Sequence, residues 1–209
     1  MDQQALFKIS YGLFVLTTRD GERDTGCIIN TAMQVTSNPN QICFTVNKAN
    51  YTEELVAKNG TFNLSILSEA ASYDLFKRFG FQSGREVDKF AGFEGQFARS
   101  KNGVAYVTEG ANAYLSGKVV QTLDIGTHIL FVAELTDMAV LDAKTPSVTY
   151  TYYQDHIKPK PGAAAAKKGG RTVWRCTVCG YIYEGEELPE DFVCPICKHG
   201  ASYFEKVEA

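Results

Sequence analysis

The chain of 209 residues has no long hydrophobic stretch and no excess of positive charge. Apolar runs such as residues 129–133 are far shorter than the roughly 18 residues of a membrane-spanning helix. The first residues lack the basic flank and apolar segment of a secretory signal. Lysine and arginine total 21 against 24 aspartates and glutamates, which gives no general attraction to nucleic acid or anionic membranes. We therefore expect a cytoplasmic protein with neither a membrane nor a nucleic-acid partner.

Cysteine is scarce over most of the chain and concentrated at its end. Four of the six cysteines, Cys176, Cys179, Cys194 and Cys197, lie in the last 34 residues. Residues 1–170 hold 17 basic and 17 acidic side chains, whereas residues 171–209 hold four and seven, so the net charge of −3 lies in the tail. In a reducing compartment such clustered cysteines favour a metal over disulfides. This uneven distribution of cysteines and net charge predicts that the chain consists of two different modules.

The boundary between the modules is visible in composition. Residues 158–171 are prolines, glycines, alanines and basic side chains, with no large apolar group to offset the entropy of ordering. We expect a flexible linker there, between a first domain at residues 1–157 and a second at residues 172–209.

Strand-like segments dominate the first domain. Residues 61–67 alternate apolar and polar side chains, as a half-buried strand does, and helices are predicted to begin near Asn50 and Ser72. Further strands are predicted at residues 12–18, 42–46, 113–123 and 128–141. This pattern of many strands and a few short helices predicts a mainly β fold that closes into a barrel.

The tail carries two Cys-x-x-Cys pairs separated by 14 residues. Each pair can present two sulfurs from a tight turn, and two turns complete a tetrahedron around one metal. A module of fewer than 40 residues has too small a core to fold alone, so the metal would supply folding energy. The spacing alone allows zinc as well as iron.

The residues around these cysteines resemble the rubredoxin family over residues 172–207. The matching positions are Trp174, Cys176, Cys179, Gly180, Tyr181, Tyr183, Pro189, Phe192, Cys194, Pro195, Cys197 and Phe204. The loop between the pairs is shorter than in free-standing rubredoxins. The resemblance implies one iron held by Cys176, Cys179, Cys194 and Cys197, in a closed site that transfers electrons and binds no substrate.

An amide, a cation and a hydroxyl lie where the first helix is predicted to begin, at Asn47, Lys48, Asn50 and Thr52. A helix N-terminus with such side chains suits a phosphate group. The alternative is a simple capping segment with a solvated lysine.

In chain order, five segments resemble the flavin-reductase-like family of FMN-binding split barrels over about residues 5–155. The segments are residues 26–32, 47–52, 62–67, 79–90 and 126–134. Thr127 and Cys27 depart from the family, in which an acidic and a small neutral residue are common at these positions. The resemblance implies bound FMN and a homodimer with the flavin at the subunit interface.

The resemblance also implies roles for individual residues. Asn30, Thr31 and Ala32 would line the isoalloxazine edge, with Gly26 and Cys27 nearby. Asn47, Lys48, Asn50 and Thr52 would hold the phosphate.

Further residues are implied near the flavin ring. Lys89 and His128 would approach the ring as candidate catalytic groups, and Tyr152 or Tyr153 would cover the pocket. The alternatives are a surface ion pair of Lys89 with Asp88, a satisfied strand histidine at His128, and an ordinary buried thiol at Cys27.

Together the modules resemble the high-molecular-weight rubredoxins, in which a flavin-reductase-like domain is fused to rubredoxin. The implied oxidoreductase passes electrons from NAD(P)H through FMN to iron, and on to a flavodiiron oxygen or nitric oxide reductase in an anaerobe. No glycine-rich dinucleotide fingerprint is present, so NAD(P)H would bind at the flavin itself. The alternatives are a carrier reduced by a separate enzyme, or a flavin or ferric reductase with a structural zinc.

Overall fold

The computed structural model describes residues 5, 8–159, 172–177, 182–185, 187–194 and 200–208. The chain divides into two compact units, Met1–Lys158 and Pro159–Ala209. Within the described ranges no helix has both the length and the apolar character needed to cross a membrane.

Antiparallel strands with short helices between them build the first unit. Its described strands are β1 (Phe14–Asp20), β2 (Arg23–Ile29), β3 (Ala32–Ser37), β4 (Asn40–Asn47), β5 (Thr61–Leu67), β6 (Phe97–Arg99), β7 (Ala105–Val107), β8 (Ala111–Asp124) and β9 (His128–Val140). Its helices are α1 (Tyr51–Asn59), α2 (Tyr73–Gly80) and α3 (Tyr150–Tyr152), and a π-helical turn, Tyr153–Ile157, continues the last of them.

Seven of these strands form one sheet in the order β2-β1-β5-β8-β9-β4-β3. The sheet is rolled, because Ile29 of β2 and Phe44 of β4, from opposite ends of this order, belong to one buried cluster. Among the described residues no backbone ladder joins β2 to β3, which follow each other through Asn30 and Thr31. The result is a barrel that is split along this seam.

Aromatic rings fill the barrel, and α1 closes part of it. The ring of Phe44 lies 4.8 Å from that of Phe62 and 5.2 Å from that of Phe131, and all three side chains are almost completely buried. Val56 of α1 is fully buried in the same cluster. Burying side chains of this size stabilises the fold by about 1.5–3 kcal/mol each. This packing fixes the N-terminus of α1 beside the ends of β4 and β9.

Both faces of β5 are buried, whereas the alternating pattern predicted a half-buried strand. Asn63 and Ser65 are fully buried although they are polar. The Asn63 side-chain amide donates to the carbonyl oxygen of Val104 at 2.7 Å, and the Val107 N–H donates to Ser65 Oγ at 2.9 Å. The β6–β7 hairpin thus covers this face and satisfies the polar groups that it buries.

A second apolar layer covers the outside of the barrel and holds the segment after α2 in place. The hydroxyl of Ser72 caps α2 by accepting the Leu75 N–H at 3.2 Å. Phe79 near the end of α2 packs edge-to-face on Phe90 and Phe93, with ring centres 5.5 and 5.7 Å apart. This packing fixes Lys89, the neighbour of Phe90, against the body of the barrel.

The second unit contains a small three-stranded sheet in the order β11-β10-β12. Its strands are β10 (Thr172–Cys176), β11 (Ile182–Tyr183) and β12 (Phe204–Glu208), and a short 3-10 turn, Ala201–Tyr203, precedes the last. Phe192 joins the sheet to the segment that carries the second cysteine pair, because its ring lies 4.7 Å from Tyr183 and 5.3 Å from Phe204.

Candidate functional site

The two predicted metal ligands that the structure describes, Cys176 and Cys194, are both completely buried. Cys176 ends β10, where it pairs with Phe204 of β12, and Cys194 follows Phe192 by two residues. The other two predicted ligands, Cys179 and Cys197, lie outside the described residues.

The environment of Cys176 and Cys194 suits a tightly held metal. The aromatic rings of Tyr183, Phe192 and Phe204 pack on one another in the same unit. Thiolate sulfur is a soft ligand, and a soft metal ion takes up the charge of the thiolates that bind it. The donor set therefore fits iron or zinc coordinated by sulfur.

In the first unit, Asn47 ends β4 and Lys48 follows it in the turn to α1, next to the turn between β8 and β9. The Ala49 N–H donates to Asn47 Oδ1 at 2.8 Å, which shapes the turn. The Lys48 N–H donates to the carbonyl oxygen of Thr127 at 3.0 Å, and Asn47 pairs with His128 in the ladder of β4 and β9. The structure thus brings the predicted phosphate and catalytic residues Asn47, Lys48 and His128 together.

Asp124, which sequence reasoning missed, completes this group. Its carboxylate Oδ2 accepts a hydrogen bond from Lys48 Nζ at 2.5 Å, and its Oδ1 accepts the Gly126 N–H at 2.9 Å. The bond from Lys48 and then that from Gly126 lower the pKa of Asp124. No local pattern indicates this pair, because 76 residues separate its members.

Asn50 is the N-cap residue of α1, but its side chain makes no capping hydrogen bond. The Asn50 side chain therefore leaves the N–H groups of the first turn uncapped, and of these the Glu53 N–H donates to the Asn50 carbonyl oxygen at 3.0 Å. Thr52 in the same turn is buried instead of facing this surface. Amide N–H groups next to an ammonium group are donors of the kind that bind a phosphate, so the residues present fit the phosphate of FMN.

Burial lowers the pKa of His128, the imidazole at the start of β9. The ring is therefore mainly neutral at pH 7. Its Nδ1 lies 2.9 Å from the hydroxyl oxygen of Thr127, so a hydrogen bond to the preceding residue orients the ring.

Lys89 is buried and makes no surface ion pair with Asp88. Its Nζ donates to the carbonyl oxygen of Gly26 at 2.7 Å and to that of Phe79 at 3.0 Å. Burial lowers its pKa to about 8, against a smaller opposing effect of the Cys27 thiol. In this structure Lys89 bridges β2 and the end of α2.

Gly26 and Cys27 lie beside this lysine, and Thr52 hydrogen-bonds with Cys27. Burial raises the pKa of the Cys27 thiol, while Lys89 and a hydrogen bond with Thr52 act in the opposite direction. A side chain at Gly26 would lie 2.6 Å from the carbonyl oxygen of Leu16, so glycine here allows close packing of β1 and β2. The structure thus joins these residues in one buried cluster.

The remaining predicted flavin residues fall in two other places. Asn30 is half-buried at the seam. The hydroxyl oxygen of Thr31, the next residue, lies 2.6 Å from that of Thr45. Ala32 lines an apolar cavity of about 360 Å³. The Tyr152 ring lies 4.4 Å from that of His156, centre to centre and at a tilt of 37°, and it packs against the outer apolar layer. No described contact joins Tyr152 to Lys48, Lys89 or His128.

Comparisons with known proteins agree with this architecture. Residues 6–160 match the model of the flavin reductase like domain, and residues 174–205 match the rubrerythrin, rubredoxin-like domain. A high molecular weight rubredoxin of Moorella thermoacetica is 35% identical over 99% of this chain and 100% of its own length.

Two further relatives match the first unit. A ferric-chelate reductase (NAD(P)H) of Archaeoglobus fulgidus is 42% identical over 77% of this chain and 92% of its own length. The crystal structure of an FMN-binding protein of Thermus thermophilus superposes with a TM-score of 0.57 at 24% identity, covering 64% of this chain and 72% of that one. The predicted mainly β split-barrel fold is thereby confirmed, and so is the prediction of an oxidoreductase.

Proposed function

The chain belongs to the flavin reductase-like family and carries a fused rubredoxin-like domain, as high molecular weight rubredoxins do, and we propose that it has a two-centre electron-transfer function. Electrons from NAD(P)H pass through FMN in the first unit to a four-cysteine iron centre in the second, and then to a separate acceptor. The observation that supports the proposal is the fusion itself, which combines a flavin reductase-like domain and a rubredoxin-like domain in one chain.

FMN accepts an electron pair and releases electrons singly when bound, and a one-iron centre needs such a donor. The chain's own residues supply binding and orientation. Lys48 and the uncapped first turn of α1 hold the phosphate, while Asn30, Thr31 and Ala32 at the seam face the ring edge. Neutral His128 offers an imidazole beside Asn47, at the same end of the barrel.

The second unit presents a surface suited to a basic redox partner such as a flavodiiron protein. Glu184, Glu187, Glu190 and Asp191 are exposed, and so is Val193, the residue next to Cys194. An apolar contact point among carboxylates favours fast association that weakens as salt is added. Four reduced cysteines also suit a cytoplasmic location.

We further propose that the first unit forms a homodimer. Met33 of β3 and Met138 of β9 are 64% and 52% exposed at the mouth of the apolar cavity. Two exposed methionines beside an apolar cavity form a surface that a second copy would cover. Sedimentation analysis of the full chain should give a dimer, and a mass near 23.0 kDa would contradict this.

A second candidate function is direct reduction of an external ferric chelate by the flavin unit. It is favoured by the relative named ferric-chelate reductase, which matches this unit and covers only 77% of the chain. In that function electrons would bypass the cysteine site, so loss of the cysteine ligands would leave the activity unchanged.

Replacing Lys48 with glutamine tests the phosphate assignment. We expect FMN affinity to fall about tenfold, because a cation beside a dianion is removed, and riboflavin affinity to stay the same. Flavin fluorescence titration measures both. Lys58→Gln, at the other end of α1, is the matched control. Equal affinity of the wild type and Lys48→Gln for FMN would place the phosphate elsewhere.

A further inference from the structure

The ion pair between Lys48 and Asp124 lies in the region that would receive the FMN phosphate. Lys48 is 39% exposed and Asp124 is 61% exposed, so the pair faces solvent and can separate at little cost. Lys48 Nζ is therefore already neutralised by an anion of the protein at 2.5 Å before any phosphate arrives.

The carboxylates around Lys48 outnumber it. Glu53, in the first turn of α1, is buried, and its pKa is raised by burial and then by Glu54, with Asp124 acting in the same direction. Glu54 itself forms an ion pair with Arg85. A dianionic phosphate bound here would thus be attracted by the ammonium group of Lys48 and repelled by the carboxylate of Asp124.

We propose that Asp124 is a specificity-determining residue, which occupies the anion position on Lys48 and sets how strongly the site distinguishes flavins by the charge of their phosphate. This inference rests on the proposed function and deepens it. The carboxylate must move aside or share the lysine when a phosphate monoester binds. An uncharged flavin such as riboflavin makes no such demand.

The size of the effect follows from Coulomb's law. A phosphate sharing the ammonium with the carboxylate would lie about 6 Å from it, and in water a unit charge and a dianion at that distance alter the binding constant by about tenfold. At physiological ionic strength, with a screening length of about 8 Å, the effect falls to about threefold.

Asp124→Asn is a suitable variant, because its side-chain oxygen can still accept the Gly126 N–H and preserve the turn of the β8–β9 hairpin. Asp74→Asn removes the same charge from an exposed ion pair with Lys77 on α2 and is the matched control. The full chain, stripped of flavin, is titrated with FMN and with riboflavin at low and at physiological salt, and binding is followed by flavin fluorescence.

We expect Asp124→Asn to bind FMN about tenfold more tightly at low salt and about threefold more tightly at physiological salt, while riboflavin affinity and Asp74→Asn stay at the wild-type values. Equal changes for FMN and riboflavin, or no change for FMN, would overturn the inference and leave the flavin function standing. If none of the three proteins binds either flavin, both the inference and the proposed function are wrong.

Discussion

We expect Cys194→Ser to abolish the visible absorption of the iron centre and its reduction, while FMN stays bound and reducible. Cys194 is fully buried, so no solvent ligand can readily replace its sulfur, and a serine oxygen is a poor ligand for a site that selects soft metals. The flavin stays because its residues lie in the other compact unit, Met1–Lys158.

Cys43→Ser is the matched control for this experiment. Cys43 lies half-buried on β4 in the first unit, far in sequence from either Cys-x-x-Cys pair. Metal analysis and the absorption spectrum should match the wild type in this variant. Loss of FMN from Cys194→Ser would show that the two units depend on each other, and a full iron complement in that variant would exclude Cys194 as a ligand.

The second large effect is on stability as a function of pH and concerns Lys89. Its pKa is lowered to about 8 by burial, from an ordinary value of 10.5. Below about pH 8 the folded protein holds a buried ammonium group, whereas above about pH 10.5 the lysine is neutral in both states. The unfolded chain therefore binds more protons between these values, and stability from this group rises with pH across that window.

The expected gain is about 3 kcal/mol, since each pKa unit corresponds to about 1.4 kcal/mol. Lys89→Met keeps most of the apolar stem and removes the titrating group, so its stability should lack this rise. Urea denaturation of both proteins at pH 7–10.5 measures the difference. The Cys27 thiol, whose pKa burial raises, acts in the opposite direction in both proteins and largely cancels in the comparison.

Lys77→Met serves as the control, because Lys77 is half-exposed in an ion pair with Asp74 on α2. Its stability should follow the wild-type pH profile. Parallel profiles for the wild type and Lys89→Met would mean that Lys89 is solvated, as a residue that contacts flavin from an open pocket would be.

Much of the fold could be predicted because its signals are local. The strand at residues 61–67 and the helices after Asn50 and Ser72 follow from periodicity and capping residues, and β5, α1 and α2 lie there. The two-sided burial of β5 could not be predicted in this way. It depends on the β6–β7 hairpin, whose Val104 and Val107 are about 40 residues away in sequence.

In the candidate site too, features with a local sequence signal could be predicted and features that depend on distant residues could not. The spacing of the cysteines predicts the metal ligands, because both sulfurs of a pair come from one turn. No local pattern predicts the environment of Lys89, since its hydrogen-bond acceptor on β2 is 63 residues away in sequence. The Lys48–Asp124 pair is equally non-local, and it requires the β8–β9 hairpin to bring Asp124 beside the β4–α1 turn.

Electron transfer from a nicotinamide through FMN to iron within this chain can be observed in one anaerobic experiment. NADH or NADPH is mixed with the full chain, and the flavin and iron absorption bands are followed over time. We expect the flavin band to bleach first and the iron band to bleach after it, with the electrons gained by flavin and iron together equal to those supplied by the nicotinamide. A flavin band that bleaches while the iron band is absent or unchanged would contradict this expectation.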